Sequence, residues 1–164
     1  MSRTTETILL WLFVINLGIA FGAGLFEHRI VFGRWLQSSP ESGTHWNADA
    51  VRADDTGQRF WAFVTTGPLA LLTLANLYAA WVASGPVRTW WLAAALVALA
   101  ERVFTVSYFI PTMIGLMNAV DSPAAVAQAS RWSNLNLVRH ALGLIAWLAA
   151  LRTLELLAQH RIRS

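Results

Sequence analysis

Glu101, Arg102, Tyr108, Asn136, Arg139 and His140 are all polar or ionisable, yet each sits within a long apolar stretch of the chain. An ionisable side chain in hydrocarbon costs several kcal/mol unless it is paired, so residues kept there are functional candidates by default. A carboxylate, a guanidinium and an imidazole at one depth can move a proton and stabilise the charge left behind. Helical spacing puts Glu101, Thr105, Tyr108 and Thr112 on one stripe, and Trp132, Asn136, Arg139 or His140, Gly143 and Trp147 on another. In the first apolar stretch Asn16, Ala20, Ala23 and Glu27 align, with His28 beside them at the rim. Glu27 and Glu101 balance Arg102 and Arg139 in charge, as a low-dielectric interior demands. Depth along the helices predicts Glu101 with Arg139 as the central pair, and Glu27 with Arg102 or Arg29 as a second. Such pairs can equally serve only to fix helix register.

Four apolar stretches must position these residues: about Thr7–Glu27, Phe60–Ala83, Trp90–Thr112 and Asn134–Leu157. Each approaches or exceeds the roughly 20 residues that a helix needs to cross a bilayer. None alternates as a barrel strand would, and backbone groups in lipid must be satisfied within their own segment, so the spans are helices. The expected fold class is all-α, an integral membrane four-helix bundle in a single transmembrane domain. The first stretch runs on into GAGLFEHRIVFGRW without a small-residue cleavage site and is expected to stay in the protein. Gly85 and Pro86 predict a tight turn that sets spans two and three side by side and antiparallel. A long polar loop, about Ile30–Gln58, joins spans one and two and is expected to fold as a lid, anchored by Trp35, Trp46 and Trp61. Ser122 and Pro123 read as a helix start for span four. Gly18 and Gly22 form a GxxxG that suits close helix packing. Trp35, Trp46, Trp90 and Trp91 read most simply as interfacial anchors.

Composition agrees. Apolar residues make up 56% of the 164 and charged ones 13%, too few to cover a soluble surface. There is no cysteine, which excludes thiolate metal sites, disulfides and cysteine nucleophiles. All 12 basic residues are arginine, which removes lysine chemistry. The arginines are scattered singly, so the net charge of +3 reads as membrane topology and not as a nucleic-acid surface. No HExxH, Gly-rich nucleotide loop or two-His-one-carboxylate spacing occurs, so no metal, nicotinamide or flavin is predicted.

RFWAFVTTGPLALLTLANL (Arg59–Leu77), VSYFIPTMIGLM (Val106–Met117) and RWSNLNLVRHALGLIAWLAAL (Arg131–Leu151) together cover most of the apolar chain. In this combination the sequence resembles the small four-span membrane proteins whose fungal and bacterial relatives include the anthrone oxygenases. The resemblance is strongest at Trp132, Leu135, Asn136, Val138 and Arg139. It implies a monooxygenase acting on a lipophilic aromatic; the chemistry is compatible with a cofactor-independent enzyme, and the expected setting is the bacterial inner membrane, in contact with membrane lipid. Deprotonation of such a substrate leaves a carbanion that reacts directly with dioxygen. On that expectation Glu101, Arg139 and His140 are the catalytic candidates, with His140 or Glu101 as base. Arg139, Asn136 and Tyr108 would hold the oxyanion, Trp132 and Phe109 would form the aromatic wall, and Glu27 and His28 would complete the substrate site. Two alternatives stay open: a haem-binding bundle with His28 or His140 as axial ligand, and a non-catalytic membrane partner or assembly protein. Assembly into a homo-oligomer is compatible with each.

Overall fold

A computed structural model describes residues 2–41 and 43–163, without the side chains of 160–163. The chain is an all-α bundle. Four helices long and apolar enough to cross a membrane run over Arg3–Trp35, Gly57–Val82, Gly85–Met117 and Pro123–Gln159, which makes this a multi-pass membrane protein. All four are longer than the expected stretches, and the first three each contain a π-helical segment.

The first span is α1 (Arg3–Phe26), a π turn at Glu27–Val31 and α2 (Phe32–Trp35). Ser2 caps its start, its hydroxyl accepting from the Thr5 backbone N–H at 3.2 Å. The second span is a π segment at Gly57–Thr66 followed by α4 (Gly67–Val82). Gly85, at φ +63°, makes the left-handed turn into α5 (Gly85–Phe104), as the Gly-Pro pair predicts. A third π turn, Thr105–Phe109, leads into α6 (Ile110–Met117), and α7 (Pro123–Arg163) forms the last span. The Ser122 hydroxyl accepts from the Ala125 N–H at 3.2 Å and caps α7.

The connection between spans one and two is folded. Strands β1 (Leu36–Ser39) and β2 (Gly43–Trp46) pair antiparallel, with Leu36 opposite Trp46, and α3 (Ala48–Asp54) follows. Asn47 caps α3 by accepting from the Ala50 N–H at 2.9 Å, and Asp55 closes it in the left-handed region at φ 44°. The Trp35 indole donates to Asp54 at 2.8 Å, and Arg34 pairs with the same carboxylate at 3.0 Å. On the far side the Trp46 indole donates to the Leu116 carbonyl at 2.8 Å, and Arg52 donates to the Met117 carbonyl. Asp121 accepts from the Trp46 backbone N–H and pairs with the His45 ring, both at 2.8 Å. The lid is thereby tied to the link between spans three and four.

Trp35, Trp46 and Trp91 are buried and are not interfacial anchors; Trp90, half exposed, fits that role. An indole has one N–H to satisfy, and the Trp91 one donates to Asn76 at 2.9 Å inside the bundle.

Two apolar clusters divide the core along the membrane normal. Leu10, Phe13, Leu69, Trp91, Ala94 and Ala146 pack the half near the termini, where alanines let the helices approach closely. Phe32, Trp35, Trp46, Phe109, Leu116 and Trp132 pack the lid half. The expected GxxxG does not form one contact face. Gly18 faces Trp147, whereas Gly22 is exposed and a Cβ there would meet nothing within 4 Å. The close approach falls at Gly24, where a Cβ would lie 2.3 Å from Cε1 of His140.

Gly24→Ala should therefore cost about 1–3 kcal/mol through overpacking, whereas Gly22→Ala should be neutral or slightly stabilising; thermal unfolding in mild detergent compares the two. The Asp121 carboxyl is held below its ordinary value of 3.8, chiefly by the Trp46 N–H and then by His45. A depressed carboxyl stabilises its tether above the ordinary value, and that contribution is lost as pH falls through the depressed one. Hydrogen exchange at the Trp46 amide should be protected at neutral pH and lose protection only below pH 3.8, while Asp121→Ala should expose it at every pH.

Candidate functional site

Between the two apolar clusters, on the lid side, lies a cavity of about 320 Å³. Every span reaches it: Phe21 and Glu27 from the first, Trp61 and Thr65 from the second, Glu101, Arg102, Thr105 and Phe109 from the third, Trp132, Arg139 and His140 from the fourth. Trp35, Val51 and Thr56 close it from the lid.

The third span shows why these side chains meet. A π turn accommodates one extra residue, so the stripe that begins at Glu101 and Thr105 continues at Phe109 and Met113 instead of at Tyr108 and Thr112. Tyr108 is displaced from the cavity and packs on Phe104 at 5.6 Å between ring centroids. Its expected oxyanion role has no geometric basis. The Trp132 indole donates to the Phe109 carbonyl at 3.2 Å, which fixes spans three and four at this level.

Glu101 is buried and its two oxygens have different partners. Oε2 receives the Arg102 guanidinium, with Nε at 2.5 Å, while Oε1 accepts from Thr105 at 3.1 Å and lies 4.0 Å from Arg139 Nε. The tight pair is Glu101 with Arg102, and Arg139 is the looser neighbour, the reverse of the expected assignment. Consecutive residues on a helix do not face each other, so spacing favoured the cross-helix arginine; the long Arg102 side chain wraps back instead. Among the described residues Glu27 forms no ion pair with an arginine. Its Oε1 accepts from Thr56 at 2.6 Å and from the Trp61 indole at 2.8 Å, and these neutral donors bind lid and second span to the first.

Arg139 lies with its guanidinium carbon 4.7 Å from the Phe109 ring centroid and 5.8 Å from that of Trp61. It feels the charges of Glu101, Glu27 and Arg102 together. Among the described residues no hydrogen-bond acceptor holds its terminal NH₂ groups, so the fork is available to a ligand oxygen in the cavity. His140 lies one residue on, its ring against the Gly24 backbone and 6.2 Å from that of His28; its Nε2 is buried without a hydrogen-bond partner. His28 itself stacks on Phe32 and reaches Ser133 at 3.5 Å, outside the cavity wall. Asn136 is fully buried, and neither amide atom has a partner among the described residues, yet it too does not line the cavity. Of the sequence candidates, Glu27, Glu101, Phe109, Trp132, Arg139 and His140 come together, and Tyr108, His28 and Asn136 do not. Thr56 and Met113 also line the cavity, and no periodicity points to them because the lid and the π segment carry or re-aim them.

Among the described residues no cluster of three or more His, Cys, Asp and Glu is arranged to hold a metal ion. Comparison with protein-family models, curated proteins and solved structures gives no match.

The two arginines should separate on substitution. Arg102→Leu strands the buried Glu101 charge and should cost about 3–5 kcal/mol. Arg139→Leu leaves that pair intact and should change stability by much less. Unfolding in detergent, monitored by near-ultraviolet circular dichroism, measures both.

Proposed function

We propose that the protein is a membrane enzyme that binds a lipophilic, weakly acidic aromatic in the lid-side cavity, removes its proton and exposes the resulting carbanion to dioxygen, as the anthrone oxygenases do. One observation carries this reading: Arg139 is a buried cation whose charge is held in place by the protein but whose terminal donors are not consumed by it. A purely structural arginine in hydrocarbon would give up its whole fork to protein acceptors. Glu101, neutralised by Arg102 and bonded to Thr105, positions Arg139 and makes a poor base. His140, with an unpartnered Nε2, is the base this arrangement supports.

Charge conservation fits the scheme. Glu27, Glu101, Arg102 and Arg139 already sum to zero and Asp55 adds a further negative lining charge, so a free anion entering the cavity would be costly. A neutral acid that passes its proton to neutral His140 creates an ion pair inside the site with no net change. Arg139 then stabilises the enolate oxygen through charge-assisted hydrogen bonds. In the reaction a ring methylene and one dioxygen give a ketone and one water. The carbanion reduces dioxygen, the two combine to a hydroperoxide, and loss of water with the second C–H proton leaves the carbonyl. Phe109, Trp132 and Trp35 supply the aromatic wall. The setting we propose is the bacterial inner membrane.

Anthrone in proteoliposomes tests the reading through dioxygen uptake and quinone formation. The wild type should exceed protein-free vesicles. His140→Gln and Arg139→Lys should each lower the rate at least tenfold without loss of folding, because lysine keeps the charge and loses the fork. Full turnover by Arg139→Lys would remove the proposal's physical basis. A Soret band in the purified protein would replace it with the haem-binding alternative.

A further inference from the structure

The four spans pack as a closed ring only in the half near the termini. There α1, α4, α5 and α7 each pack against two neighbours. On the lid side the second span's π segment packs on α1 and α4, while α6 packs on α3 and α7, and the two make at most glancing contact with each other. The short turn at Gly85 holds the second and third spans together at one end and leaves them splayed at the other.

The cavity opens into that gap. Its exposed lining residues are Gly57, Gln58 and Ala62 on one side and Ile110 and Ile114 on the other, all from these two spans. First-span and fourth-span residues that line it are buried or half-buried. At ~1.5 Å per residue, Ile110 lies roughly 10 Å below the lid-side end of the third span, at hydrocarbon depth. Ile114 is 56% exposed there, and Phe63, next to Ala62, is 78% exposed, as suits a surface facing lipid chains. Met113 and Met117 stand just inside, unbranched thioether side chains that can move aside at little cost. On the water side the lid is held down by hydrogen bonds from Trp35 to Asp54, from Trp46 to Leu116, and from Thr56 and Trp61 to Glu27, and among the described residues only Gly57 and Gln58, at the lid-side end of the second span, are exposed lining residues there.

We propose that the gap between Ala62 and Ile114 is a lateral doorway through which a flat, weakly acidic aromatic passes directly from the lid-side leaflet to Arg139, with the lid remaining shut. The chemistry of the path selects this class. A charged ligand cannot cross the apolar rim, so the ligand travels as the neutral acid. The Arg139 fork, set against the Phe109 and Trp61 rings, then favours an oxygen edge that can take up negative charge, and the aromatic and thioether wall favours flat rings behind it. This inference rests on the reading of the cavity as a substrate site and adds the side from which it fills.

The natural chain has no cysteine, so Ala62→Cys with Ile114→Cys can be bridged by a thiol-cleavable cross-linker. Anthrone added to vesicles should quench tryptophan fluorescence saturably as it reaches Trp35, Trp61 and Trp132. Bridging should slow the quenching at least tenfold, and reduction should restore it. A second pair, Gln37→Cys with Asn118→Cys, bridges the lid to the link between spans three and four and should leave the rate unchanged. Fast quenching with the first bridge in place, or slow quenching with the second, overturns the doorway while leaving the site reading intact. Absence of saturable quenching in the wild type overturns the site reading and the doorway with it.

Discussion

A carboxylate in hydrocarbon must find compensation within a few ångströms, and Glu101 finds it in the residue beside it. Arg102 is fixed on the same helix, so the pair survives any relative movement of the spans and asks nothing of helix four. Arg139, 4.0 Å from Glu101, is consequently held by charge alone, and its terminal donors stay free. Had Arg139 been the tight partner, both groups would have been spent on register and the cavity would present no donor. The division between a neutralising arginine and a presenting one therefore turns a polar patch in a membrane protein into a site.

The π segments provide the second condition. They occur in three of the four spans, at Glu27–Val31, Gly57–Thr66 and Thr105–Phe109, and each carries residues that line the cavity. A π turn widens the helix and rotates everything after it, at a cost in backbone geometry that an uninterrupted α-helix avoids. Here that rotation brings Phe109 and Met113 inward in place of Tyr108 and Thr112. Hydrogen bonds from outside each helix accompany these segments, from Thr56 and Trp61 to Glu27 and from Trp132 to the Phe109 carbonyl.

Sequence periodicity was informative where helices are regular and failed where they are not. The four spans, the Gly85 turn and the start of α7 at Pro123 follow from apolar length and turn chemistry, since both are local. Glu101, Arg139 and His140 stand out because an ionisable group in an apolar stretch is conspicuous whatever its partner. Their pairing was not legible, because spacing rules describe which faces meet and not how far a flexible guanidinium can wrap. Tyr108 was misplaced because the extra residue of a π turn leaves no mark in composition. The lid read as a loop because its two strands are only four residues each, too short to establish alternation.

The same charge economy bears on how the site meets the membrane. Among the described residues Glu27 is a buried cavity acid without an arginine ion pair, and its two donors, Thr56 and Trp61, belong to the lid and to the second span. Lid closure and the position of the second span thus report to a single buried carboxylate. The bond from Trp61 to Glu27 ties the π segment of the second span to the first, and that segment packs on α1 and not on the third span. A bundle that paired Glu27 with an arginine of its own would have no such tie between its second span and its first.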